Sequence, residues 1–148
     1  MGEHAENIHA EYCRRLRKLG DILGYDTRMS KTGLYHLANP DAIWYVDTKI
    51  GSDQIPGKVP LVVFEVLSSE NEKMIRGSIS SLGLYGSPIG ILVMITEKYR
   101  TLKKGKTSED WADYVTNLIK ALGLERRIFL WYETDVDSLL KRAEAKSN

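Results

Sequence analysis

The feature that most constrains the fold is the apolar run at residues 61–67, which contains a single charged residue, Glu65. A continuous apolar run rich in β-branched side chains is typical of a strand that is buried on both faces of a sheet. Residues 69–72 then fit a capping box that opens a helix, and a second apolar run follows at residues 89–95. A strand, a helix and another buried strand predict a right-handed parallel crossover.

Weaker patterns on either side of this crossover complete an α/β arrangement. Apolar residues at three- and four-residue steps predict helices, and short apolar runs bounded by turn residues predict strands. The predicted flanking helices are residues 3–24, 111–122 and 135–146, and the predicted further strands are residues 34–37, 42–46 and 128–132. The order αβββαβ followed by αβα predicts one domain over residues 1–148, with a mixed central β-sheet flanked by helices.

Composition limits the classes of protein to which this chain can belong. Its 148 residues suffice for one domain with a core, and the longest apolar run, residues 89–95, is far below the ~20 residues that cross a bilayer. We therefore expect no membrane partner, and the single cysteine makes a reducing, cytoplasmic location the default expectation. Cys13 is the only cysteine, which excludes an internal disulfide and a zinc site built on several thiolates. We expect Cys13 to pack as a small apolar side chain, and we expect no zinc site at His4 or His9.

Three carboxylates occupy positions where a metal ion could be bound. Asp41 opens a predicted strand, Glu65 lies inside the most apolar strand, and Glu11 lies beside the apolar stripe of the first helix. A carboxylate buried in a strand is costly unless it is paired, hydrogen-bonded or bound to metal, and carboxylate oxygens suit Mg²⁺. In the alternative interpretation, Glu65 faces solvent at the end of its strand or pairs with Lys73 or Arg76.

Two short acidic motifs lie on neighbouring predicted strands. Pro40-Asp41 stands at the start of the second strand, and Glu65 follows 24 residues later in the third. This pattern resembles the signature of the PD-(D/E)xK nuclease superfamily, which includes restriction endonucleases, archaeal Holliday-junction resolvases and repair nucleases. The resemblance covers about residues 8–95 and extends to the αβββαβ order of a restriction-endonuclease-like core.

The resemblance implies an activity and a cofactor. It implies a metal-dependent endonuclease that hydrolyses DNA phosphodiester bonds with Mg²⁺ or Mn²⁺. Asp41 and Glu65 would be catalytic residues and metal ligands. Some members of the superfamily also carry a metal-binding glutamate on the first helix, the place that Glu11 occupies in this sequence.

One position departs from the superfamily pattern. The lysine expected two residues after the acid is replaced by Leu67, and that lysine normally helps to orient or deprotonate the attacking water. In one interpretation its catalytic role has moved to Lys73, in the first turns of the following helix, with Lys58 and Lys49 as weaker candidates. In the other, the domain has lost catalysis and keeps the fold for DNA binding or scaffolding.

Basic residues form the candidate surface for DNA. They are Lys98, Arg100, Lys103, Lys104 and Lys106 in a predicted loop, together with Arg76 on the preceding helix. Cationic side chains of this kind neutralise phosphates, although a basic loop is equally typical of a solvated connector. The net charge of +1 leaves a third interpretation open, an oligomeric interaction module with no nucleic-acid role. Nucleases that cut both strands are commonly two-fold dimers, so we expect a homodimer whose interface includes the aromatic strand near residue 130.

Overall fold

Over the described residues, the predicted helices and strands occur in the predicted order, with one additional helix at residues 96–102. The computed structural model describes residues 2–27, 40–68, 71–102 and 106–147. Its elements are α1 (Gly2–Leu23), β1 (Ala42–Asp47), β2 (Lys58–Leu67), α2 (Glu72–Leu84), β3 (Ile89–Met94), α3 (Thr96–Leu102), α4 (Ser108–Ala121), β4 (Ile128–Tyr132) and α5 (Glu133–Ser147). None of the helices described combines the length with the apolar character that a membrane span requires.

Within the described residues, four strands form one mixed sheet in the order β1-β2-β3-β4. β1 runs antiparallel to β2, whereas β2, β3 and β4 are parallel, as the predicted crossover requires. The carboxyl ends of the three parallel strands and the start of β1 therefore lie at the same edge, which we name the C-terminal edge. Ligands of open α/β sheets bind beyond such an edge. The strand predicted at residues 34–37 lies outside the described residues.

Side chains of the sheet pack into two cores, one on each face. Phe64 and Val66 of β2 pack with residues of α1 and α5, on what we name the α1 face. Val63 and Leu67 pack with residues of α2 and α4, on the α2 face. Because both faces are covered, the apolar residues of β2 are continuous in the sequence. The predicted α/β class, with a mixed sheet between helices, is confirmed.

A close contact between Gly20 and Trp44 seats α1 on β1. A Cβ atom at Gly20 would stand 2.4 Å from the Trp44 indole nitrogen, so a larger residue would displace the ring. The indole N–H donates to the Leu16 carbonyl oxygen over 2.9 Å, and the indole stacks on Tyr25 with ring centroids 5.3 Å apart. These contacts fix the rotation of α1 and decide which of its residues face the start of β1.

α2 begins two residues later than the predicted capping box requires. Asn71 is the N-cap, and its side chain accepts a hydrogen bond from the Met74 N–H over 2.9 Å. The prediction of Ser69 as the cap was wrong. Serine and asparagine cap helices about equally well, so the sequence before Glu72 offers two candidate caps and does not distinguish between them.

The basic segment at residues 98–106, predicted as a loop, is partly helical, since α3 occupies Thr96–Leu102. Glu133 accepts hydrogen bonds from the Thr96 backbone N–H, over 2.7 Å, and from the Thr96 hydroxyl. Tyr99 is fully buried in the α2-face core. The loop prediction was wrong because these tertiary contacts anchor a helix that the basic composition of the segment does not indicate.

Candidate functional site

Asp41, one of the predicted metal ligands, contacts both β2 and α1. Its backbone N–H donates to the Phe64 carbonyl oxygen over 3.0 Å, where β1 begins. Its Oδ2 accepts from the Val66 N–H over 2.7 Å, and its Oδ1 lies 3.2 Å from His9 Nε2. Asp41 therefore extends the pairing of β1 with β2 through its side chain and presents its other oxygen to α1.

His9 and Cys13 meet Asp41 from α1. They are four residues apart, so their side chains share one face of the helix. His9 Nδ1 is 3.7 Å from Cys13 Sγ, while Nε2 on the other side of the ring faces Asp41. One donor atom from each residue lies within 4.8 Å of the other two. In the described part of the chain, no other three His, Cys, Asp or Glu side chains meet in this way. We name the three residues the His9 cluster.

The ion pair between His9 and Asp41 sets the charge of the His9 cluster. Hydrogen bonding to the Asp41 carboxylate raises the pKa of His9 from 6.5 to about 10, and the Cys13 contact acts in the same direction. Partial burial opposes this change but is the smaller effect. His9 is therefore an imidazolium at neutral pH and neutralises Asp41. Cys13 is buried in the α1-face core, which agrees with the packing role predicted for it.

Neither His9 nor Cys13 belongs to the site predicted from the sequence. The signal that identifies them is their His-x-x-x-Cys spacing on a predicted helix, which the expectation of no zinc-type site overlooked. This spacing alone is weakly informative because it names two donors and no third. Asp41, the third donor, comes 28 residues after Cys13 and is brought there by the packing of α1 on β1.

Glu65 lies near the C-terminal edge, at a position of β2 that faces the α2 side of the sheet. The paired register of β1 and β2 ends at Ala42 and Phe64, and Asp41 and Glu65 are the residues next to this last pair. Phe64 packs on the α1 face, and strand alternation therefore directs the half-buried Glu65 to the α2 face. Leu67, two residues further on, also points there and is fully buried among apolar side chains. Glu65 is not a member of the His9 cluster.

Glu11, the third predicted metal ligand, belongs to a different network. Glu11 Oε1 accepts from the Arg15 guanidinium over 2.7 Å. Arg15 also pairs with Asp137 of α5, and Asp137 accepts from the Tyr12 hydroxyl over 2.8 Å. These contacts join α1 to α5 rather than to the start of β1.

The lysines considered as replacements for the missing motif lysine are widely separated. Lys73 lies in the first turn of α2 and is exposed. Lys58 opens β2 and pairs with Asp26, and Lys49 is exposed beyond the end of β1. Of the three, Lys73 alone lies at the C-terminal edge.

The predicted DNA-contacting residues are only partly described. Lys106 Nζ lies 2.8 Å from Glu72 Oε1, and Arg76 Nη1 lies 3.4 Å from the Tyr114 hydroxyl. The remaining residues follow β3: Lys98 and Arg100 are on α3, and Lys103 and Lys104 lie outside the described residues.

The donor atoms of the His9 cluster do not fit Mg²⁺. That ion prefers oxygen ligands in near-octahedral geometry, usually one or two carboxylates with several waters. Here the carboxylate of Asp41 faces an imidazole nitrogen and lies in one group with a thiol sulfur, and its second oxygen accepts from a backbone N–H. The set of one nitrogen, one sulfur and one oxygen is instead typical of zinc-class metals.

Three comparisons with known proteins give no match. No protein-family model matches the sequence, and neither the curated proteins nor the solved structures provide a match. The resemblance to the PD-(D/E)xK superfamily accordingly rests on Asp41, Glu65 and the order of elements. What the fold itself defines is an α/β protein with a mixed four-stranded sheet over the described residues.

Proposed function

We propose that the chain is a DNA-binding domain built on a PD-(D/E)xK-type core, and that it binds DNA without hydrolysing it. The observation that carries the proposal is a contact at the C-terminal edge. Lys106, at the end of the basic segment, lies 2.8 Å from Glu72 in the first turn of α2. This contact brings Lys106 beside Lys73 and Arg76, which are exposed on the same helix.

The order of elements supports the PD-(D/E)xK-type core. α1, the antiparallel pair β1-β2, α2 and the parallel strand β3 follow one another as in that superfamily. The first strand of the superfamily core would fall at residues 34–37. Asp41 and Glu65 stand at the two strand positions where the superfamily carries its acids.

The cationic side chains at the C-terminal edge support binding to phosphates. Lys73 and Arg76 are three residues apart on α2, so they lie close together on one side of the helix. Lys106 is held next to them, with its ammonium 5.0 Å from the centroid of the Trp111 ring. Cations that contact DNA phosphates release bound counterions, which supplies affinity without sequence preference.

Two features of the site support binding without hydrolysis. Leu67, at the position of the motif lysine, is fully buried and has no group that could orient water. Asp41 is engaged by the His9 imidazolium and by a backbone N–H, and the alternation of side chains along β2 directs Glu65 to the α2 face. A Mg²⁺ site would need the two carboxylates to converge on one oxygen-rich pocket, and the contacts of Asp41 with His9 and with the Val66 N–H disfavour this.

A metal-dependent DNA endonuclease is the second candidate. It is favoured by the register of β1 and β2, which leaves Asp41 and Glu65 next to the last pair, and by the exposed position of Lys73 at the same edge. In this candidate, Lys73 takes the role of the missing lysine and Mg²⁺ or Mn²⁺ is the cofactor. For this candidate, Asp41 must part from His9. The Glu65 side chain must also turn around the edge of the sheet.

A homodimer paired through β4 is a further part of the proposal. Within the described sheet β4 is an outer strand, and Phe129 on it is 43% exposed. Sedimentation equilibrium of the full chain tests this, and a monomer at all concentrations would contradict it.

The test of DNA binding compares two matched double variants by fluorescence anisotropy on a short duplex over a series of salt concentrations. One variant, K73A/R76A, removes a lysine and an arginine from α2. The other, K141A/R142A, removes the same two charges from exposed positions on α5. We expect the slope of log affinity against log salt to fall by about two in the α2 variant and to stay unchanged in the α5 variant.

The same protein is assayed for nicking of supercoiled plasmid with Mg²⁺ and with Mn²⁺, and no cleavage is expected. Cleavage that disappears in a D41A/E65A variant would replace the proposal with the endonuclease candidate. Equal salt slopes for the two double variants, or absence of binding at low salt, would overturn the assignment of the α2 surface to DNA. Absence of binding would favour the interaction-module interpretation.

A further inference from the structure

We propose that His9, Cys13 and Asp41 form a binding site for one divalent cation of the zinc class. The inference goes beyond the proposed function, because DNA binding at the C-terminal edge requires no metal. It rests on the identity of the donor atoms, their separations and their access to solvent.

The donor set matches the preferences of zinc-class ions. Zinc takes thiolate sulfur, imidazole nitrogen and carboxylate oxygen, usually in tetrahedral geometry. Three protein ligands leave a fourth position, which water fills in many zinc sites. Magnesium and calcium, by contrast, prefer sites made of oxygen atoms alone. The chemical class of the ligand therefore follows from the presence of Cys13 and His9 beside one carboxylate.

The separations of the donors are close to those of a tetrahedral site. With metal–ligand bonds of about 2.0–2.3 Å, neighbouring ligand atoms are about 3.3–3.7 Å apart. His9 Nδ1 lies 3.7 Å from Cys13 Sγ and His9 Nε2 lies 3.2 Å from Asp41 Oδ1, so the ring now contacts both partners through different nitrogens, only one of which would bind the metal. One donor from each of the three residues lies within 4.8 Å of the others, so closure on a metal requires a movement of about 1 Å. Because a metal binds a neutral imidazole and a thiolate, binding also releases one proton from His9 and one from Cys13 to the solvent.

The burial of the three side chains permits this movement. Cys13 is 7% exposed and held by the core, whereas the His9 side chain is 32% exposed and Asp41 17%. The imidazole therefore has room to turn one nitrogen toward the space shared by Cys13 and Asp41, and water can reach the fourth position. Asp41 is already oriented, because its Oδ2 accepts from the Val66 N–H over 2.7 Å. Hydrogen bonds of this kind orient the ligands of metal sites.

A metal at this position would join two elements that are distant in the sequence. Cys13 and His9 lie on α1, and Asp41 immediately precedes β1. A cation that binds only the folded chain stabilises it by mass action. At a concentration about 100-fold above its dissociation constant, it should raise the thermal midpoint of a chain of this size by about 5–10 °C.

The competing explanation is that the His9 cluster is an ion pair beside a buried thiol and binds no metal. The full chain is first freed of metal with a chelator and then titrated with Co²⁺, which replaces zinc and reports its ligands by absorption. We expect one Co²⁺ per chain, a tetrahedral visible spectrum and a near-ultraviolet thiolate-to-cobalt charge-transfer band. Zinc is expected to displace the cobalt, and Mg²⁺ is not.

The variants C13S, H9Q and D41N test the three ligands separately. Each should weaken zinc binding by at least about 10-fold, and C13S should remove the charge-transfer band. The matched control is E11Q on the same helix, which alters a predicted metal ligand that pairs with Arg15 instead. Its zinc affinity should stay within about two-fold of the wild type.

Absence of the charge-transfer band in the wild-type chain would overturn the proposal, whether or not the variants fold. Equal zinc affinity of C13S, H9Q and E11Q would overturn it as well. DNA binding is measured in parallel on the chelator-treated chain and should be unchanged. Loss of the metal site and loss of the proposed function are therefore separate results.

Discussion

The coupling between His9 and Asp41 should make the stability of this protein depend on pH in a defined direction. The pKa of His9 is raised from 6.5 to about 10 by its hydrogen bond to Asp41. A raised pKa means that the folded state holds the proton more tightly than the unfolded state. The stabilisation is therefore fully present below about pH 6.5 and is lost as the pH rises through about 10.

The energy of the coupling between His9 and Asp41 follows from the pKa shift of His9 and from the solvent exposure of the two side chains. At about 1.4 kcal/mol per pKa unit, the shift sets an upper limit of roughly 5 kcal/mol. The side chains of His9 and Asp41 are 32% and 17% exposed, so water screens the pair. We therefore expect a coupling energy of about 1–2 kcal/mol near pH 6.

The assay is a double-mutant cycle of H9Q, D41N and the combined variant, measured by urea denaturation in the presence of a chelator. D41N keeps an oxygen that can accept from the Val66 N–H, so the cycle isolates the interaction with His9. The control is E11Q, whose difference from the wild type should be flat between about pH 6 and 10 because carboxylates remain ionised there. A coupling energy below about 0.3 kcal/mol at pH 6 would refute the reasoning. So would a coupling energy that does not decline toward pH 10.

Three further substitutions test the packing around the site by chemical denaturation. L67K places an ammonium in an apolar core and should lower the free energy of unfolding by about 3–5 kcal/mol without restoring cleavage. L67M should lower it by less than about 1.5 kcal/mol. Similar losses for the two variants would be inconsistent with the burial of Leu67. G20A should lower the free energy of unfolding by about 1–3 kcal/mol because its methyl group contacts Trp44. A methyl group at Gly77 contacts no atom within 4 Å, so G77A should leave this free energy unchanged or raise it. The opposite order would contradict the packing of α1 on Trp44. N71A removes the cap of α2 and should cost about 1 kcal/mol, and an unchanged stability would show that the cap lies elsewhere.

The central strands and the long helices were predictable because each is specified by local patterns. Burial of β2 and β3 on both faces requires continuous apolar runs, and an amphipathic stripe specifies α1 and α4. α3 was not predictable in the same way. Its helical turn depends on the burial of Tyr99 and on Glu133, which contacts Thr96 from a distant part of the chain.

The sequence by itself determined that His9 and Cys13 share a face of a helix and that Asp41 and Glu65 belong to consecutive strand regions, because helix and strand periods are local properties. Only the tertiary structure decided which of these side chains meet. The packing of α1 on Trp44 places His9 next to Asp41. The alternation of side chains along β2 directs Glu65 to the α2 face. Such meetings depend on how elements pack and rotate against one another, and the spacing of residues along the chain does not contain that information.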